Sequence, residues 1–165
     1  MTSLAPILQA SPAIQIHVAA AVLALLLGPL AFYRQRRDRL HRVVGYVWII
    51  AMMVTALSSF WVHSMPLIGP FGPIHALSLW TLFALIRGLR AAIRGDIAVH
   101  RGTMRGIYHF GLAAAALFTL LPGRIMHRVL FGADSTGGPV ALAALLLAVA
   151  AAVLLQRRYG PRRNA

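Results

Sequence analysis

The chain contains no cysteine, no lysine and no glutamate. Without cysteine, disulfides, iron–sulfur clusters and thiolate zinc sites are excluded. The acids are Asp38, Asp96 and Asp134 alone, and each lies between apolar runs rather than inside one. That placement argues against a proton or sodium transporter driven by buried carboxylates. No phosphate-binding glycine loop, HExxH pair, nucleophile elbow or acidic pair occurs, so hydrolytic chemistry has no visible machinery. No arginine precedes Arg34, so the first apolar run has no basic flank and a cleavable signal peptide is not expected. Polar surface is scarce too. Only 12% of residues are charged, 59% are hydrophobic, and the mean hydropathy is +0.75. These values describe an all-α, polytopic membrane protein rather than a soluble domain.

What is present in excess is arginine, which supplies all 16 basic residues and a net charge of +13. On a soluble protein that charge would suggest nucleic acid. Here the arginines punctuate apolar runs, so topology and anionic lipid account for them and no nucleic-acid partner is expected. The runs predict five transmembrane helices, over residues 13–33, 44–63, 71–89, 105–122 and 139–156. Each is close to the ~20 residues that cross a ~30 Å hydrocarbon core. Pro29 should kink the inner end of the first. Fourteen arginines fall on one side of this arrangement, and only Arg124 and Arg128 on the other. The positive-inside rule then places the fourteen in the cytoplasm, with the N-terminus outside and the C-terminus inside. In this reading residues 1–12 form a short periplasmic tail and 13–124 a four-helix core. Residues 125–138 form a periplasmic loop, 139–156 a peripheral fifth helix, and 157–165 a basic cytoplasmic tail.

The core reads as two repeated helix pairs. His17 opens an apolar run that leads to arginines, Asp38, His41-Arg42 and a second run. His75 opens another that leads to Arg87, Arg90, Arg94, Asp96, His100-Arg101 and a further run. Parallel repeats of this kind relate by an axis along the membrane normal. Each aspartate is placed to cap the helix that follows.

The histidines are the candidates for chemistry, because ionisable groups in a membrane are costly and usually face an interior or a cavity. His17 and His75 fall at one depth, ~6 Å below the outer surface. His17, Ala20, Ala24 and Gly28 form one helical stripe, and small residues on a stripe mark close helix contact. With His63, and with Arg124 closing the mouth, they outline an outer site. It would suit a bis-histidine haem b, a metal, a quinone or a proton path. It would equally suit a structural polar cluster. On the inner side His41, Arg42, His100, Arg101 and His109 are weaker candidates, since His109 has no fully intramembrane partner at its depth. The tryptophans, including Trp48, read as interfacial anchors or packing residues.

The ALSSFW run at 56–61, His75, the RGD-to-HR segment at 94–101 with Met104, Tyr108, and FTLLPGR at 118–124 together resemble a family. It is the bacterial predicted membrane proteins known as domain of unknown function 2306. The resemblance covers roughly residues 13–124 and implies a small inner-membrane helical bundle. It brings no activity and no catalytic residues. Two functional expectations stand beside it. One is a b-type haem or quinone-linked electron-transfer protein with a membrane redox partner, His17 and His75 ligating from facing helices. The other is a non-enzymatic membrane protein that binds lipid or a small molecule, transports, or assists assembly, with structural histidines.

Overall fold

The computed structural model describes residues 4–33, 38–62, 69, 71–132, 140 and 143–144. The chain divides into two compact units, Ile7–Phe118 and a second that combines Met1–Pro6 with Thr119–Ala165. Every regular element among the described residues is helical. A short turn α1 (Ala5–Leu8) precedes α2 (Pro12–Tyr33) and α3 (Arg39–Ser58), and α3 tightens into a 3₁₀ turn at Ser59–Trp61. Next come α4 (Pro73–Ile93) and α5 (Ile97–Gly106). A π-helical segment (Ile107–Gly111) runs without a break into α6 (Leu112–Leu120), and α7 is Ile125–Phe131.

Three of these helices are long and apolar enough to cross a membrane: Pro12–Phe32, Arg39–Trp61 and Pro73–Ile93. The stretch expected to form a fourth crossing is helical from Ile97 to Leu120, as α5, the π segment and α6 in succession. It begins eight residues earlier than the apolar run alone suggests, because Asp96 starts the helix before the hydrophobic stretch. The expected fifth helix, 139–156, lies almost wholly outside the described residues, as does His63. Residues 125–131, read from sequence as loop, form α7. Its His127 is buried in its own unit, with Nδ1–H donated to the Leu120 carbonyl at 3.1 Å and the ring on Phe131.

Within Ile7–Phe118 the helices alternate in direction. α2 and α3 form one antiparallel pair, with Ala24 beside Trp48 and His17 beside Ser58. α4 and α5 form another, joined by a tight corner. The Asp96 amide donates to the Ala91 carbonyl (2.9 Å) and the Gly95 amide to Ala92 (3.1 Å), while Gly95 takes φ +79°. This is the left-handed glycine stop that ends α4. Asp96 then caps α5 by accepting the Val99 amide at 3.1 Å. Asp38 does the same for α3, accepting the His41 amide at 3.0 Å.

The core is built around a defect in α2. Pro29 has no N–H, so the Leu25 carbonyl one turn back loses its helical donor. Tyr108, from the π segment, supplies one instead: its hydroxyl donates to Leu25 O at 3.3 Å. The neighbouring Ala24 carbonyl accepts the Trp48 indole N–H at 3.1 Å. Gly28 makes the approach of Tyr108 feasible, since a β-carbon there would collide with the phenol ring. Phe32 lies between the two aromatics, its centroid 5.0 Å from Trp48 and 5.0 Å from Tyr108. Trp48 is 1% exposed and so is one of the packing residues rather than an interfacial anchor. Trp61 and Trp80 do face outward. The Tyr108 contact brings the π segment back to α2.

Candidate functional site

The starts of α2 and α4 and the end of α3 meet at one end of the bundle, and there the buried polar residues of Ile7–Phe118 gather: Ser58, Ser59, His75, Ser78 and Thr81. Each hydroxyl is first satisfied within its own helix. Ser58 donates to the Val54 carbonyl at 2.6 Å, Ser78 to Ile74 at 2.9 Å and Thr81 to Leu77 at 2.8 Å. Ser59 and Ser78 then meet across α3 and α4 at 2.6 Å. Ser78 spends its proton on Ile74, so Ser59 is the donor in that pair, its one proton shared between Ser78 Oγ and the Ala56 carbonyl at 2.7 Å.

His17 and His75 both reach this cluster, but with opposite ring chemistry. His17 Nδ1 lies 3.1 Å from Ser58 Oγ. The single Ser58 proton is directed at Val54, so His17 Nδ1 carries the hydrogen and donates, leaving the Nε2 lone pair. His75 does the reverse. Its Nδ1 accepts the Gly72 amide at 2.9 Å, while its own amide donates to the Gly72 carbonyl at 3.0 Å. Gly72 has no side chain with which to accept an amide of α4, and the imidazole three residues on supplies the other half of a capping box by accepting the Gly72 amide. An Nδ1 that accepts an N–H places the ring proton of a neutral imidazole on Nε2. His75 is 5% exposed and packed between Phe60 and Phe71, at centroid distances of 5.6 and 5.4 Å. The expected stripe of His17, Ala20, Ala24 and Gly28 does face the bundle, with His17 and Ala20 half-buried and Ala24 and Gly28 buried.

At the opposite end the candidates stay apart in function. His100 donates Nδ1–H to the Gly88 carbonyl at 3.0 Å, pinning α5 to α4 where Met104 and Thr103 already press on that glycine. His41 occupies the third position after its aspartate cap and His100 the fourth, so their rings leave the helix start in different directions. Arg42 and Arg101 are exposed. His109 is exposed, with Nδ1–H donated to the Arg105 carbonyl of the preceding turn at 2.9 Å. Arg124 is half-buried at the start of α7 in the second unit. Among the described residues no group of three or more histidines or acids converges to hold a metal ion.

The model of a predicted membrane protein family, DUF2306, matches residues 14–156. The chain belongs to this family. No curated protein and no solved structure matches it. What residue reasoning missed in this DUF2306 protein is the meeting of Tyr108 with α2. The signal was present in Gly28-Pro29, an open carbonyl beside a residue small enough to let a donor in, but nothing local names the donor 83 positions away.

Proposed function

We propose that this chain is a non-enzymatic multi-pass membrane protein whose intramembrane histidines are structural ties, and that its arginine-rich end binds anionic lipid. The observation that carries the reading is the Gly72 N–H···Nδ1 bond of His75. A histidine that ligates iron through Nε2 needs a lone pair there and directs Nδ1–H at an acceptor. His17 has that arrangement and His75 has its inverse, so the pair does not fit a bis-histidine haem b as it stands. A quinone-linked redox function with a membrane redox partner loses its main support with it. His17 alone, oriented by Ser58, keeps the geometry of a ligand or proton acceptor.

The deciding experiment is the visible spectrum of the full chain in mild detergent, before and after haem is supplied. This reading expects no b-type spectrum in either case. A b-type spectrum that His17→Ala or His75→Ala abolishes, and His127→Ala leaves intact, would reinstate the redox reading.

Five crossings in the inner membrane, N-terminus periplasmic and C-terminus cytoplasmic, complete the proposal, on the strength of the arginine distribution. A reporter after Ala165 should read cytoplasmic and one within 134–138 periplasmic. The paired aspartate caps, Asp38 on His41 N–H and Asp96 on Val99 N–H, support the helix-pair repeat.

A further inference from the structure

We infer that the cleft between the end of α4 and the start of α5 is a binding site for the phosphate headgroup of an anionic phospholipid. The inference deepens the reading of anionic lipid as the partner of the arginine-rich end by naming the site. The cleft is half open to the surroundings and has a volume of about 490 Å³. Arg87, Arg90 and Arg94 line it from α4, at i, i+3 and i+7, and so project from one face over about 10 Å of helix. Phe83 and Ile86 continue the same face toward the middle of the helix and are 65% and 47% exposed. The second wall is the first turn of α5, with Asp96 and Val99.

Arginines scattered for topology need no cleft, but here the start of a second helix, through Asp96 and Val99, forms one side of the groove they line. The hairpin is held rigid by the Gly95 corner, by the His100 bond to Gly88 and by Met104 on Gly88. The Asp96 carboxylate faces the same space, but its Oδ1 is engaged by the Val99 amide, and three guanidiniums stand against it. Among the described residues none of the three is paired with a carboxylate. Guanidiniums bind phosphate oxygens in bidentate fashion, and basic pockets between transmembrane helices suit anionic headgroups. Free phosphate would satisfy the arginines alone. A lipid also covers Phe83 and Ile86, so the apolar half of the cleft commits the site to lipid.

The test uses the full chain in mild detergent, with retained phosphatidylglycerol counted by native mass spectrometry against phosphatidylcholine and against added inorganic phosphate. Retention of phosphatidylglycerol over phosphatidylcholine is expected. It should fall about fivefold per arginine removed, on the order of 100-fold for Arg87→Gln/Arg90→Gln/Arg94→Gln, with Arg90→Gln alone as the mildest variant. Arg39→Gln/Arg105→Gln, which removes exposed arginines outside the cleft, should lower retention much less per arginine. If that control lowers retention as much per arginine, the cleft is not a site, though anionic lipid still coats the end. Equal retention of phosphatidylcholine overturns both the site and the broader lipid reading. If millimolar inorganic phosphate displaces the lipid from the wild-type chain, the site is one for phosphate, and the assignment to lipid fails.

Discussion

Tyr108 meets α2 in the middle of the bundle, and His17 meets α3 at its end, and the two contacts are held by opposite logic. In the middle, the acceptor is a main-chain carbonyl that Pro29 has stripped of its helical donor. The remedy arrives from the fourth helix and fits only because residue 28 is glycine. At the histidine end, Ser58, Ser78 and Thr81 are already bonded to carbonyls of their own helices. The cross-helix bonds there are additions, and their loss strands little. Leu25 is exposed, yet in hydrocarbon no water can replace a lost donor, so a carbonyl left without a partner costs about 1–3 kcal/mol, whereas an interaction added to an already satisfied group contributes about 1 kcal/mol or less. Polar residues in a membrane bundle therefore differ in weight according to whether the backbone depends on them.

That contrast can be broken most forcefully at Gly28. Gly28→Ala should destabilise the bundle by about 1–3 kcal/mol, since overpacking displaces the Tyr108 ring, and Gly28→Leu should prevent the closed bundle from forming. Reversible unfolding in detergent reads both. A stable Gly28→Leu protein would show that the aromatic middle is not a tight contact.

The next effect is the hydroxyl of Tyr108. Tyr108→Phe should cost about 1–2 kcal/mol by leaving Leu25 O without a donor. In a Pro29→Ala background residue 29 regains its N–H, and the same substitution should become nearly neutral. A double-mutant cycle with no coupling between Pro29 and Tyr108 would separate the two halves of this explanation.

Smaller still are the caps. Asp96→Ala and Asp38→Ala should each cost about 1 kcal/mol, the usual value of an N-cap. The loss at Asp96 should be the better tolerated, because the Gly95 corner and the His100–Gly88 bond also hold that helix start. At the bottom of the scale, Ser59→Ala should change stability by about 0.6 kcal/mol, the average for hydrogen bonds between membrane helices. A Ser59→Ala penalty as large as that of Tyr108→Phe would erase the distinction between the two regions.

Much of the fold was legible in the residues. Hydropathy located α2, α3 and α4, and the small-residue stripe from His17 to Gly28 named the face that packs. The aspartates marked two helix starts correctly, because an N-cap acts within three residues and is a local signal. The fourth helix was read as too short, since hydropathy sees the membrane and not the polar turns that precede it. Trp48 read equally as an anchor or as a packing residue, because an indole looks the same in sequence whether its N–H finds water or a carbonyl 24 residues away. The site was legible as a set of residues but not as chemistry. Equal depth made His17 and His75 look alike. Their difference lies in which ring nitrogen carries the proton, and that depends on Ser58 and on Gly72, whose amide needed a partner.

The tautomers are therefore the most direct test of the claim that these histidines are structural. Nitrogen-15 spectra of histidine-labelled protein in bilayers, assigned by His17→Ala and His75→Ala, distinguish a protonated from an unprotonated ring nitrogen. At a pH where both rings are neutral, His75 should be protonated on Nε2 with Nδ1 accepting, and His17 on Nδ1 with Nε2 free of hydrogen. A His75 ring protonated on Nδ1, with its Nε2 lone pair open as in His17, would contradict the account and return the two imidazoles to the role of matched ligands.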